Sequence, residues 1–363
     1  MTSSIPDVAR YRRVAIWLFA VCALVFCMVV LGGVTRLTGS GLSMTDWRPV
    51  TGILPPLTAE AWAAEFASYQ ASPEFAKVNS HMDVEAFKGI FWLEYLHRLL
   101  GRLIGLAFFV PFVVFAWRGD IRPSEYPRYL VMFALGGMQG LLGWYMVKSG
   151  LVDVPHVSQY RLTAHLAMAF LVYGFMFWVA LSLWHHGDTR GRHPWFGRTV
   201  ALTGLIGVTI LSGGFVAGLR AGKIYNTFPL MGDSLVPDGL FALSPAARNF
   251  FENATTVQFD HRILALSTFA LIVVYWWHSR GALFPRRAQR GATALVHAAG
   301  LQVLLGISTL LMSVPIILGA MHQAVAMLLL TTALFLTHSL SRLPDVAATP
   351  TESALIPPEP RNA

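Results

Sequence analysis

The sequence predicts an all-α integral membrane protein with eight transmembrane helices. Hydrophobic residues occupy 55% of its 363 positions and charged residues only 13%, whereas about a quarter of a soluble domain is charged. A membrane-spanning helix needs about 20 apolar residues. Stretches of this kind lie near residues 14–33, 90–117, 128–147, 162–184, 197–218, 257–277, 292–312 and 315–340. The first is too long for a secretory signal and seven more follow, so we expect it to stay in the protein.

The basic residues predict how the chain is oriented. They cluster before the first span and in every second loop, at Arg10, Arg12, Arg13, Arg118, Arg122, Arg128, Arg190, Arg192, Arg198, Arg280, Arg286, Arg287 and Arg290. By the positive-inside rule, both termini and these loops are cytoplasmic. Because the net charge of +8 is spread over these loops, rather than gathered on one soluble face, it predicts no nucleic-acid partner.

The two halves of the chain repeat each other. Three motifs recur in order: GG at 32–33 and 213–214, HR at 97–98 and 261–262, and QGLLG at 139–143 against QVLLG at 302–306. Each half has four spans, an even number, so both halves enter the membrane in the same direction. We therefore expect two four-helix bundles related by a pseudo-twofold axis along the membrane normal.

This repeat sets the predicted domain boundaries. They are a cytoplasmic N-terminal tail (1–13), an N-terminal bundle (14–184), a cytoplasmic linker (185–196), a C-terminal bundle (197–340) and a cytoplasmic tail (341–363) expected to be disordered. The N-terminal bundle includes a long outer segment, 34–89. There, Trp62, Phe66 and Tyr69 recur at helical spacing and predict an amphipathic helix, and Ser72-Pro73 is typical of the start of another.

Four histidines lie inside spans near their outer ends: His97, His165, His261 and His322, one on each even-numbered span. They stand roughly 24–30 Å above the inner ends of those spans at 1.5 Å per residue, which is a common depth. Paired imidazoles on facing helices can hold a heme iron. The alternatives are hydrogen bonds between helices, or zinc, which usually takes three or four ligands. The two cysteines, Cys22 and Cys27, both lie in the first span and predict no thiolate site.

A carboxylate distinguishes the first half. Glu94 precedes His97 by three residues, so both share a helical face, and an ionisable group inside a span is costly enough to suggest function. The second half has no carboxylate there, since Asp260 points about 100° away around the helix. We therefore expect chemistry in the first half and an electron-transfer or structural heme in the second. The alternative for Glu94 is an ion pair with Arg98 at i+4.

Several arginines near these histidines are candidate partners for heme propionates, because guanidinium groups bind carboxylates bidentately. The alternative is that their side chains reach outwards to the membrane interface. They are Arg98, Arg102, Arg161 and Arg262.

Six long motifs together resemble a known family. They are GGVTRLTGSGLSMTDWRPVTGILPP at 32–56, EYLHRLLGR at 94–102, RLTAHLAMAF at 161–170, NTFPLMGD at 226–233, VQFDHRILA at 257–265 and GAMHQAVAMLLL at 319–330. In this order the sequence resembles the heme A synthases of alphaproteobacterial and mitochondrial type. Some bacterial members carry a cysteine pair in the outer loops, and this chain has none.

The resemblance implies oxidation of the C8 methyl group of heme O to a formyl group, giving heme A for cytochrome c oxidase. The family is described as hydroxylating the methyl twice, after which the geminal diol loses water. It implies that Glu94 is catalytic, by assisting proton removal or by stabilising positive charge at the methyl carbon. His97 and His165 would bind the iron of heme O and heme A, and His261 and His322 that of heme b.

The resemblance also implies a multi-pass protein of the bacterial cytoplasmic (inner) membrane. Its expected partners are the lipid bilayer, heme O, the heme O synthase, cytochrome c oxidase assembly factors and an electron donor that the sequence does not identify. Two other functions remain open. One is a diheme b-type cytochrome that passes electrons between quinone and a partner, and the other is a heme carrier or oxidase assembly factor. Glu94, without a counterpart in the second half, favours the enzyme.

Overall fold

The structure, a computed structural model, describes residues 5–46, 52–150 and 157–343. Residues 47–51 of the first motif and 344–363 of the C-terminal tail lie outside the described residues, so the expected disorder of that tail stays a prediction. The helices are α1 Ile5–Leu37, α2 Ala59–Gln70, α3 Pro73–Lys77, α4 Val84–Trp117, α5 Tyr126–Gly150, α6 Gln159–Trp184, α7 Phe196–Gly218, α8 Asn249–Glu252, α9 Ala254–Ser279, α10 Arg286–Leu311 and α11 Ile316–Ser341. Two short strands, β1 Thr189–Arg190 and β2 Arg342–Leu343, pair antiparallel after the fourth and eighth spans.

Eight of these helices are long and apolar enough to cross a membrane, as judged over the described part of the chain. This confirms the predicted all-α membrane fold. In chain order the first to eighth spans are α1, α4, α5, α6, α7, α9, α10 and α11.

The ends that precede the histidine motifs are capped by side chains. Asp83 accepts from the backbone N–H of Ala86 at the start of α4, and Asn253 accepts from two backbone N–H groups at the start of α9, which satisfies donors left free at a helix start.

The spans pack in the same way in both halves. The first span contacts the second and fourth, and the third contacts the fourth; likewise the fifth contacts the sixth and eighth, and the seventh contacts the eighth. Between halves, the first meets the eighth, the fourth meets the fifth, and the fourth meets the eighth. Exchanging first with fifth and fourth with eighth leaves this pattern unchanged, as a pseudo-twofold axis requires.

The backbone carries the same repeat. The first span ends at Leu37 and the fifth at Gly218. Two residues after each end the chain turns through the left-handed region, at Gly39 with φ 69° and at Arg220 with φ 53°. A glycine takes this conformation without cost, whereas an arginine adopts it less often. The turn is therefore set by its place in the fold and not by the residue type alone.

The outer segment folds as a cap on the second span. The predicted helix containing Trp62, Phe66 and Tyr69 is confirmed as α2, and its aromatic rings pack on Phe87 and Phe91 at the start of α4. Tyr69 and Phe87 are fully buried, with stacked rings 5.0 Å apart. The outer segment is thus held against the part of α4 that leads to Glu94.

The predicted start of α3 is also confirmed. Ser72 is the N-cap, its hydroxyl accepts from the backbone N–H of Phe75 at 3.2 Å, and Pro73 opens the helix. This places Glu74 in the first turn of α3, where its side chain is buried with 7% exposure.

The buried Glu74 carboxyl group makes the stability of the folded outer segment depend on pH. Burial, and then the nearby Glu94 carboxylate, raise the pKa of Glu74 to about 7, with the Arg220 cation acting in the opposite direction. Between its ordinary value and about 7 the folded protein therefore holds a proton that the unfolded chain has released. The stability contributed by Glu74 is complete at low pH and is lost as the pH rises through about 7.

We expect the melting temperature of the wild-type protein to decrease as the pH is raised from about 5.5 to about 8. In Glu74→Gln this decrease should be smaller. The measurement is thermal unfolding of the purified protein at several pH values. Glu60→Gln, which changes an exposed carboxylate in α2, is the matched control. If the melting temperatures of the wild-type protein and of Glu74→Gln depend on pH in the same way, Glu74 is not the cause of the dependence.

Candidate functional site

Each of the four predicted histidines packs against a glycine of the neighbouring span in its own half. A Cβ atom added to any of these glycines would stand 3.0–3.1 Å from the imidazole ring, closer than side chains normally approach. The absence of a side chain at these positions therefore lets the rings lie directly against these helices. The pairs are Gly32 with His97, Gly143 with His165, Gly213 with His261, and Gly306 with His322. These glycines belong to the repeated motifs, which was the sequence signal, although no role was predicted for them.

The structure also brings the histidines together in the predicted pairs. His165 lies within electrostatic range of His97, and His322 lies within electrostatic range of His261. Among the described residues, no group of three or more His, Cys, Asp or Glu side chains is placed to hold a metal ion. A two-histidine site on facing helices is the arrangement for an axially ligated heme iron.

The third and seventh spans supply a second repeated contact. Gln139 Nε2 lies 3.4 Å from His165 Nε2, and Gln302 Nε2 lies 3.4 Å from His322 Nε2. The buried Nδ1 atoms of both histidines and the buried Oε1 atoms of both glutamines have no hydrogen-bond partner in the described structure. Buried polar atoms without partners are rare in folded proteins. Their matched occurrence beside paired imidazoles fits a site that a bound group completes.

Glu94 is buried, with 3% exposure, and sits in a cage of donors. Its Oε2 accepts from Ser43 Oγ at 2.8 Å and from the backbone N–H of Met44 at 2.9 Å. Its Oε1 accepts from Arg98 Nη2 at 2.6 Å and Nε at 3.1 Å. The ion pair that the sequence left as an alternative is therefore present. The contacts from Ser43 and Met44 were missed, because both residues are about fifty positions away in a loop without regular periodicity.

The second half has an amide at this place. Gln258 precedes His261 by three residues, as Glu94 precedes His97, and is 2% exposed. Its Nε2 donates to the backbone carbonyl of Tyr225 at 3.0 Å. The two positions thus differ in charge while both face an outer loop, which agrees with the expectation that the carboxylate is unique to the first half.

Two of the predicted arginines fasten outer loops to the spans. Arg98 donates to the carbonyl groups of Met44 at 2.9 Å and Asp46 at 3.0 Å. Arg262 donates to those of Tyr225, Thr227 and Leu230 at 2.9–3.1 Å. Each of these arginines thus ties an outer loop to the span that carries the preceding histidine.

The other two predicted arginines are placed differently. Arg161 lies over the ring of Tyr145 at 4.4 Å and donates to its hydroxyl at 3.3 Å. Arg102 is partly buried in the second span, one turn deeper than Arg98. Both remain candidates for binding an anionic group.

Comparison with known proteins shows the family to which the chain belongs. The sequence profile of the family described as cytochrome oxidase assembly protein matches residues 15–334. The chain belongs to this family. Among similar members, the heme A synthase of Nitrosospira multiformis is 50% identical over 350 residues, covering 94% of this chain and 98% of that protein. The human heme A synthase COX15 is 46% identical over 353 residues, covering 94% and 86%, and that of Arabidopsis thaliana is 47% identical over 348 residues, covering 91% and 75%. The family match thus runs from within the first membrane helix into the eighth.

The histidine–glycine contacts generate a test within one helix. In Gly306→Ala the new methyl group would stand 3.0 Å from the His322 ring and shift it, so we expect the purified variant to bind less heme than the wild-type protein. Gly300→Ala is the matched control, because nothing lies within 4 Å of that position on the same span. Absorption spectra and extracted heme per chain measure the effect. Equal heme content in the two variants would contradict the role of the glycine.

Proposed function

We propose that this membrane protein is a heme A synthase, which oxidises the C8 methyl group of heme O to a formyl group and so produces heme A for cytochrome c oxidase. Family membership supports this, as do relatives named heme A synthase that are 46–50% identical over nearly the whole chain. The buried Glu94 carboxylate beside a histidine pair, with Gln258 at the same place in the other half, is the observation that carries it.

We assign the substrate to the first half, 14–184, and heme b to the second, 197–340. His97 and His165 bind the iron of heme O and of the product heme A, and His261 and His322 bind heme b. When bound, the heme iron supplies the redox chemistry that carbon–hydrogen oxidation needs. The protein supplies paired imidazoles that fix the position of each macrocycle, and glycines that let those imidazoles lie against the neighbouring spans.

Glu94 acts as a fixed negative charge beside the substrate. Both of its oxygens already accept from Ser43, Met44 and Arg98, so taking up a proton would require one of these donors to move. Stabilising positive charge that develops at the methyl carbon requires no such movement, since the carboxylate is already oriented by its cage. Of the two roles implied for Glu94, its contacts therefore favour charge stabilisation over proton removal.

The arginines divide into two groups in this proposal. Arg98 and Arg262 hold outer loops through carbonyl groups and contribute to a heme site mainly by closing it. Arg102 and Arg161 are better candidates for pairing with propionates of the substrate. Both lie in the half that this proposal assigns to the substrate.

The membrane environment and partners follow from the same assignment. The arginine-rich loops support a topology in which both termini are cytoplasmic and the histidines lie in the outer leaflet of a bacterial inner membrane. Heme O is a lipid-soluble substrate, so we propose that the protein works beside a heme O synthase and cytochrome c oxidase assembly factors, and receives electrons from a separate donor. Neither electron transfer by a diheme cytochrome nor heme binding by a carrier requires a buried carboxylate in only one half.

The decisive variant is Glu94→Gln, which gives the first half the amide that the second half already has. We expect it to keep bound heme and to lower heme A formation by roughly 10²-fold or more, the usual size of a lost acid, base or charge-stabilising group. Extracted hemes from cells that make heme O, separated by chromatography, measure this.

The matched control is Glu85→Gln, which changes an exposed carboxylate on the same helix that pairs with Lys88. It should leave heme A production near the wild-type level. Wild-type production of heme A by Glu94→Gln would remove Glu94 from the mechanism.

A further inference from the structure

The histidine of the sixth span has a hydrogen-bond partner from the fifth span. Ser212 Oγ lies 2.8 Å from His261 Nδ1 and also donates to the backbone carbonyl of Thr209 at 2.7 Å. A hydroxyl group has one proton, and a carbonyl oxygen can only accept. The proton of Ser212 is thus directed to Thr209, and its oxygen accepts the N–H of His261 Nδ1.

This contact selects one tautomer of the imidazole. With its proton on Nδ1, His261 keeps the lone pair of Nε2 free for a metal ion. Gly213, the next residue after Ser212, is the glycine against which the same ring packs. Ser212, together with the Thr209 carbonyl that also accepts from the His261 ring, thus favours this tautomer, and Gly213 sets the position of the ring.

The first half lacks this device. Leu31 precedes Gly32 as Ser212 precedes Gly213, and a leucine side chain has no acceptor. On the fourth and eighth spans, the buried Nδ1 atoms of His165 and His322 have no partner in the described structure. The serine contact thus distinguishes the ligand of the sixth span from its counterpart on the second.

We propose that Ser212 is a positioning residue that makes His261 Nε2 a stronger electron donor to iron and so lowers the midpoint potential of the heme in the second half. The inference rests on the proposed function, in which His261 and His322 bind heme b. An imidazole that donates a hydrogen bond from Nδ1 is more basic at Nε2 and stabilises the more highly charged ferric iron. The heme in the second half therefore gives up electrons more readily than it would without this contact.

The test is the midpoint potential of heme b, measured by spectroelectrochemistry on full-length protein from cells without heme O synthesis. Ser212→Ala should raise the potential, and Ser212→Thr, which keeps a hydroxyl group, should stay closer to the wild-type value. Ser182→Ala is the matched control, because Ser182 Oγ lies 3.1 Å from Nε2 of His338, a histidine with no assigned heme. This variant should leave the potential unchanged.

An unchanged potential in Ser212→Ala, with heme b still bound, overturns the inference and leaves the proposed function intact. If Ser212→Ala does not bind heme, the potential is measured in Ser212→Cys, because sulfur is a weaker hydrogen-bond acceptor than oxygen. A raised potential in this variant supports the inference, and the wild-type potential overturns it. Heme b that persists after His261→Leu would instead overturn the ligand assignment on which the proposal depends.

Discussion

The close contact between an imidazole and a glycine of the adjacent span is the constraint on which the rest of the structure depends. It occurs four times, always between a histidine on an even-numbered span and a glycine on the odd-numbered span before it. In a membrane, helices gain little from burying apolar surface against each other, so small residues that permit close approach decide how they pack. Here the same glycines decide where the imidazoles stand. Helix packing and the placement of the histidines thus depend on the same glycines, which recur in both halves.

Within this repeated frame the halves differ at the pair formed by the first two spans of each. In the first half Glu94 lies three residues before His97 and Leu31 precedes Gly32, whereas in the second half Gln258 lies three residues before His261 and Ser212 precedes Gly213. One histidine thus lies near a caged negative charge, while the other donates to a neutral hydroxyl. Charge beside the macrocycle suits chemistry on the substrate, and a hydrogen bond to the ligand suits control of iron potential. In the proposed function, these few differences give the two repeated bundles different tasks.

The sequence predicted those parts of the structure that depend on local pattern. Eight apolar stretches gave eight spans because the length of a span is fixed by the membrane, and the spacing of Trp62, Phe66 and Tyr69 gave α2 because one helical face must be buried. The four histidines stood out because polar residues are costly in a span. The cage around Glu94 depends on Ser43 and Met44, which a loop brings from far away in the chain. The roles of Gly143 and Ser212 depend on which face each span turns to its neighbour, and this is set by packing between helices.

The most direct test of two unlike heme sites is the heme content of purified protein from cells with and without heme O synthesis. Without it, we expect about one heme b per chain, lost in His261→Leu and kept in His97→Leu. With it, heme O or heme A should appear in addition and should be lost in His97→Leu. Heme b alone, filling both sites in cells that make heme O, would contradict the account.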